Sequence, residues 1–217
     1  MRHGQSTANV EGIIASDYEL GTTIWGLTDV GTQQAKDAGR DLHEMIGKQD
    51  LLLNDKVLFA TSPFTRARET ALEAQKALGA LVDADNELGL EYLKTENLVV
   101  FPELRERSFG ELDQRLLIWY NKVWPIDAID STNKRNGVES VYEVCLRLLN
   151  LVKYIESTYE NKIIVLSSHA DTLQIFQMIM SEQQEDPRLF SQYRFKNGES
   201  RNLVTDLPTE RAPLEYK

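Results

Sequence analysis

The chain is poor in cysteine, histidine and basic residues, and it has no long apolar run. Cys145 is the only cysteine among 217 residues, so no intrachain disulfide can form. That accords with a reducing compartment. No uninterrupted hydrophobic stretch approaches the roughly 20 residues of a membrane span. The opening Met1-Arg2-His3-Gly4-Gln5-Ser6 has no apolar stretch that could serve as a signal peptide. A cytoplasmic location is therefore expected. Lys and Arg total 24 against 34 Asp and Glu, a net charge of −10. Such a surface repels nucleic acid and anionic membranes, so neither is expected as a partner. An anionic substrate must be drawn in by a local basic cluster against the overall field.

Internal repeats and low-complexity blocks are also missing. What is present is a 41% hydrophobic chain of a length that defaults to one core and one domain, expected over 1–207 with a poorly ordered tail at 208–217. The spacing predicts a helix over 28–48, with Thr28 as N-cap and Val30, Ala35, Ala38, Leu42 and Ile46 on one face. Residues 57–61 form a short apolar strand. Ser62-Pro63 then predicts a helix over 63–79, with Ser62 at N-cap and Pro63 at the first helical position. Strands are predicted at 98–101 and 163–167, helices at 139–159 and 169–180, and a last strand at 202–206. Strands alternating with helices predict a three-layer α/β/α sandwich with a mainly parallel central sheet. In such sheets ligands bind beyond the carboxyl ends of the strands.

The rare chemical residues sit at those ends. Of the three histidines, His43 lies mid-helix and reads as an ordinary helix residue. His3 stands in Arg2-His3-Gly4, a triplet that chance supplies in on the order of one chain in a hundred. His169 follows the strand at 163–167 and opens a helix, where side chain and free backbone N–H groups are exposed together. That position suits an anion, but it also suits a plain helix start with Asp171 in the first turn. Thr61 to Ala71 is another strand-to-helix junction. Arg66 and Arg68 are two positions apart there and cannot share a face. Glu103 to Gly110 is a charged run of the kind that is usually solvated.

In this order, these elements resemble the histidine phosphatase (phosphoglycerate-mutase-like) superfamily. The resemblance rests on Arg2-His3-Gly4, Leu27-Thr28-x-x-Gly31-x-x-Gln34-Ala35 and Ser62-Pro63-x-x-Arg66-Ala67-x-x-Thr70-Ala71. It continues with Leu104-x-Glu106-x-x-x-Gly110, Gly137-x-Glu139-Ser140 and Ser168-His169. It implies a metal-independent phosphomonoester hydrolase without cofactor, acting on a small phosphorylated metabolite. His3 takes the nucleophile's place and would carry a phosphohistidine. Arg2, Arg66 and His169 take the places that hold the phosphoryl oxygens, with His169 expected as an imidazolium. The Ala170 N–H and Asn9 would add contacts. Glu106 takes the place of the general acid and base. Asp171 is the competing proton donor, disfavoured because Ala170 separates it from His169.

The resemblance also exposes a departure. Such chains have an apolar first strand before Arg-His-Gly, whereas here Arg2 follows Met1. A gap in the sheet, a truncated gene model and low stability are the resulting expectations. A phosphoglycerate-mutase-type phosphotransferase is the alternative function. It would need a basic clamp drawn from Arg107, Arg115, Lys122, Lys134 and Arg135 in the cap-like stretch that includes 110–137. Trp119, Tyr120 and Trp124 in that stretch fit a phosphatase cap better. Two further alternatives are a metal site on His3, His169 and Glu106, and an inactive module binding phosphorylated ligands. Residues 10–26, with Asp17, Tyr18, Glu19 and Trp25, and 110–137 are expected around the pocket mouth, with a substrate bearing one phosphate.

Overall fold

A computed structural model describes residues 1–47, 56–85, 98–181 and 187–203. The helices are α1 (Thr7–Glu11), α2 (Tyr18–Thr23), α3 (Asp29–Ile46), α4 (Thr65–Asp85), α5 (Trp124–Asp127), α6 (Val141–Thr158) and α7 (Ala170–Met180). The strands β1 (Val57–Thr61), β2 (Val99–Val100) and β3 (Ile163–Ser167) form a parallel sheet in the order β2-β1-β3. Alternation along the strands splits the core. Val57, Phe59 and Val165 pack with Ala38 and Leu42 of α3 and Ala71, Ala74 and Leu78 of α4. Ala60, Ile164 and Leu166 meet α6 and α7 on the other face. The result is the expected α/β sandwich, a parallel sheet with helices on both sides. Among the described residues no helix is long and apolar enough to cross a membrane.

Local signals account for most of the boundaries. The Thr28 side chain accepts from the Gly31 N–H at the start of α3. Ser140 and Glu143 form a reciprocal capping box at α6. The second helix departs from expectation. Its first 4-residue backbone bond runs from the Arg68 N–H to the Phe64 carbonyl, so it begins at Thr65 rather than Pro63. Ser62 caps the preceding turn, its hydroxyl accepting from the Phe64 N–H, and so remains at the strand end. The predicted strand at 202–206 is also corrected where it can be seen. Asn202 and Leu203 are not in a strand, and 204–206 and the tail lie outside the described residues.

The first residues lie along the outer edge of β3. Arg2 bridges Ser168 in parallel register, the His3 N–H donates to the Ser168 carbonyl (2.9 Å), and the Ser168 N–H to Met1 (3.1 Å). Before that point the edge of β3 borders a groove of about 400 Å³, with Met1, Leu42, Ile46, Val165, Leu173 and Leu203 in its walls.

Candidate active site

Four chain segments reach the carboxyl end of the sheet. The first is Arg2-His3-Gly4, docked on α3. The Gln5 N–H donates to Gln34 Oε1 and the Thr28 N–H to the Gln5 carbonyl, at 2.8 and 3.0 Å. The Gly4 N–H donates to Thr70 Oγ1 of α4. The second is α4, whose Arg66 is buried while Arg68 is exposed, as their spacing required. The third is the turn 102–107, which brings in Glu106. The fourth is the β3–α7 junction, with His169, Ala170 and Asp171. Arg2, His3, Asn9, Arg66, Glu106 and Ala170 all line one cleft of about 200 Å³. His169 lies behind His3, with ring centroids 5.1 Å apart. The structure thus brings Arg2, His3, Asn9, Arg66, Glu106 and Ala170 to one cleft, with His169 packed on the His3 ring.

His3 presents its unprotonated ring nitrogen at a defined atom. Its Nδ1 lies 2.7 Å from the Gly4 carbonyl, which can only accept, so Nδ1 carries the proton. Nε2 is then the lone-pair nitrogen, and Arg66 Nε donates to it at 3.2 Å. Burial, then Arg66 and Arg2, hold the His3 pKa well below its usual 6.5 and the ring neutral. His169 is held neutral in the same way, by burial first and then by Arg66. The imidazolium expected from sequence is therefore not the state of the unliganded site, because several cations share a dry pocket with the ring. The Ser62 hydroxyl, already accepting from Phe64, can donate to His169 Nε2 (2.8 Å). The ring proton is then on Nδ1.

That atom is one of five buried side-chain polar atoms with no partner among the described residues. Two of the others are Arg2 Nε and Arg66 NH1. Buried donors without partners are costly, and an anion in the cleft could receive these three. Burial lowers the Arg66 pKa to about 10, which leaves it charged near neutrality. Asn9 commits its Oδ1 to Ser6 and to Asn197 Nδ2. Its own Nδ2 makes no hydrogen bond among the described residues.

The two carboxyls of the cleft are shifted upward. Burial raises Glu106 against the pull of Arg66, the Arg107 N–H and Arg2. Asp171 is raised to about 7, by burial first and then by Glu106. It accepts from Trp124 Nε1 at 3.2 Å and lies 3.5 Å from Arg107, which is itself paired with Asp127. Among the described residues no three of His, Cys, Asp and Glu group as metal ligands, so the two-histidine, one-carboxylate alternative lacks its ligand set.

The two expected stretches, 10–26 and 110–137, do reach the mouth, through Ile13, Ala15, Leu117, Tyr120 and Trp124, but Asp17, Tyr18, Glu19 and Trp25 do not line it. Asp17 instead caps α2, accepting from the Leu20 N–H. Gln174, Ser191, Arg194 and Phe195 form a wall that sequence reasoning missed. Gln174 was within reach, because it lies one helical turn after Ala170. The segment after α7 gave no signal, since only tertiary contacts bring it here. Arg2 NH1 donates to the Phe195 carbonyl (2.7 Å), and the Arg2 N–H to Glu199 (3.0 Å).

Solved structures share this architecture. A mycobacterial glucosyl-3-phosphoglycerate phosphatase complexed with VO3 is 22% identical, covering 88% of this chain and 83% of its own, with a TM-score of 0.62. The product of an open reading frame of Mycobacterium tuberculosis is 23% identical, covering 91% and 84%, with a TM-score of 0.63. A protein of Thermus thermophilus is 20% identical, covering 91% and 87%, with a TM-score of 0.56. At these identities the likeness speaks for the fold. No curated protein matches the sequence. The sequence model described as Histidine phosphatase superfamily (branch 1) matches residues 1–206, and by that match over nearly the whole length the chain belongs to this superfamily.

Proposed function

We propose that the protein is a metal-independent phosphomonoester hydrolase that acts on a small phosphorylated metabolite through a phosphohistidine. The observation that carries this reading is the set of orphaned buried donors, Arg2 Nε, Arg66 NH1 and His169 Nδ1, on residues that line the cleft with His3 or pack on its ring. His3 Nε2 attacks phosphorus as the ester P–O bond breaks. Arg2, Arg66, His169 and the Ala170 N–H take the phosphoryl oxygens, and Asn9 supplies a neutral contact. Glu106, whose proton affinity burial raises, gives a proton to the leaving alkoxide. Its carboxylate then takes a proton from water, which attacks the phosphohistidine. Phosphate leaves, and His3 and Glu106 regain their starting states.

Hydrolysis is favoured over phosphoryl retention because the basic clamp does not form. Arg107, Arg115, Lys122, Lys134 and Arg135 all lie off the cleft. Arg107 is fully buried against Asp127, and Lys134 pairs with Glu143. The test is phosphate release from a panel of small phosphomonoesters, with and without EDTA, by wild type and His3→Ala. EDTA-resistant release that falls at least ~10³-fold in His3→Ala is expected. Release that survives in the variant, or is lost with EDTA, would overturn the reading. So would tight binding of the esters by wild type without turnover, which would mark a binding module.

A further inference from the structure

Residues 1–3 are paired on both sides. On one side they run parallel to the end of β3. The Met1 amino group donates to the Leu166 carbonyl (2.6 Å), the Ser168 N–H to the Met1 carbonyl and the His3 N–H to the Ser168 carbonyl. On the other side they run antiparallel to 198–199. The Arg2 N–H donates to the Glu199 carbonyl and the Gly198 N–H to the His3 carbonyl (3.2 Å). Both neighbours extend beyond Met1, β3 back to Ile163 and the second segment on to Leu203. The groove of about 400 Å³ lies between them, in line with residues 1–3.

This groove has the character of an interior strand position. Its two faces are apolar, with Leu42, Met45 and Ile46 of α3 on one and Leu173 of α7 on the other. Its edges are polar. The N–H and carbonyl of Ile164 and the N–H of Leu166 point away from β1 and have no partner among the described residues. Across from them, Ser200 lines the groove, and its buried hydroxyl is also without a partner among the described residues. Backbone groups left so beside apolar walls are costly, and a strand satisfies them where a compact apolar ligand does not. The carboxyl-terminal stretch of the chain does not suit the place. Residues 204–217 are rich in charge and include Pro208 and Pro213, which cannot donate to a ladder.

We propose that the groove receives an extended apolar segment of a partner polypeptide, about four residues long, as a strand parallel to β3 that ends against Met1. The rungs already formed by residues 1–3 fix its register. The carbonyl of its penultimate residue accepts from the Leu166 N–H, and the N–H of that residue donates to the Ile164 carbonyl. The carbonyl two residues earlier accepts from the Ile164 N–H. Because both faces are covered, the segment is apolar at every position rather than at alternate ones. The occupant abuts the residues that carry Arg2 and His3 to the cleft, and its binding does not depend on the hydrolase reading.

The probe is a fluorescein-labelled peptide, two lysines for solubility followed by Val-Ile-Val-Ile and a terminal amide, added to the full chain. Saturable binding in fluorescence anisotropy is expected. Bound peptide should slow deuterium exchange at the Ile164 and Leu166 amides and leave Val165 and Ser167 as they were. A second peptide, N-methylated at its penultimate residue, keeps every side chain but loses the N–H that reaches the Ile164 carbonyl. It is expected to bind about tenfold or more weakly. No binding, equal binding of the methylated peptide, or binding that leaves exchange at Ile164 and Leu166 unchanged overturns the proposal. So does slow exchange at those two amides in the protein alone, which would assign the groove to the chain itself if ultracentrifugation shows a monomer, and to a second copy if it shows a dimer.

Discussion

Burial raises the proton affinity of both Glu106 and Asp171, the Glu106 carboxyl raises that of Asp171 further, and this leaves a mark on stability. Asp171 is moved from its usual 3.8 to about 7. A raised acid means that the folded chain holds the proton more tightly than the unfolded one. Its contribution is fullest below pH 3.8 and is lost as pH rises towards about 7. In urea unfolding, the stability of wild type relative to Asp171→Asn is therefore expected to fall between pH 4.5 and 7.5. A difference that stays constant would show that Asp171 ionises freely. Residue identity was legible in the sequence here, but protonation was not. Arg66 could be separated from Arg68 by helix spacing alone. The neutrality of His169 depends on how many cations share its pocket, which only the folded arrangement sets.

At the scale of elements, the placement of His3 depends on two glycines. Gly4 and Gly31 face each other where the His3 loop crosses the first turn of α3. A Cβ on Gly31 would overlap the Gln5 carbonyl, and one on Gly4 the Gly31 carbonyl. Gly31→Ala is expected to push the loop off α3, costing about 1–3 kcal/mol in thermal or urea unfolding. Phosphate release should fall by more than the loss of folded protein explains. An unchanged turnover in a folded variant would mean that the loop is held elsewhere. The Leu27-Thr28-x-x-Gly31-x-x-Gln34 pattern thus has a physical reading. Thr28 caps, Gly31 admits the loop and Gln34 receives the Gln5 N–H. Capped starts such as Thr28 and Ser140 were legible because their signals are local. The start of α4 was misread because Ser62 is bonded to His169, a partner 107 positions away. The wall formed by Ser191 and Arg194 was not legible at all, since it is anchored through Arg2 at the other end of the chain.

At the scale of the whole molecule, β3 pairs with β1 on one side, while among the described residues its other side pairs with no strand. Parallel pairing points the backbone groups of alternate residues to opposite sides. Ile163, Val165 and Ser167 turn theirs towards β1, as the bond from the Ile163 N–H to Lys56 and that from Ser62 to the Ser167 carbonyl show. Ile164 and Leu166 turn theirs towards the groove, where among the described residues only the Leu166 carbonyl is engaged, by the Met1 amino group. One five-residue strand should therefore report two different lifetimes to deuterium. The amides of Ile164 and Leu166 are expected to exchange with solvent far sooner than those of Val165 and Ser167, a sawtooth readable by NMR residue by residue. Uniform slow exchange along β3 would instead mean that something in solution covers the open side of the sheet.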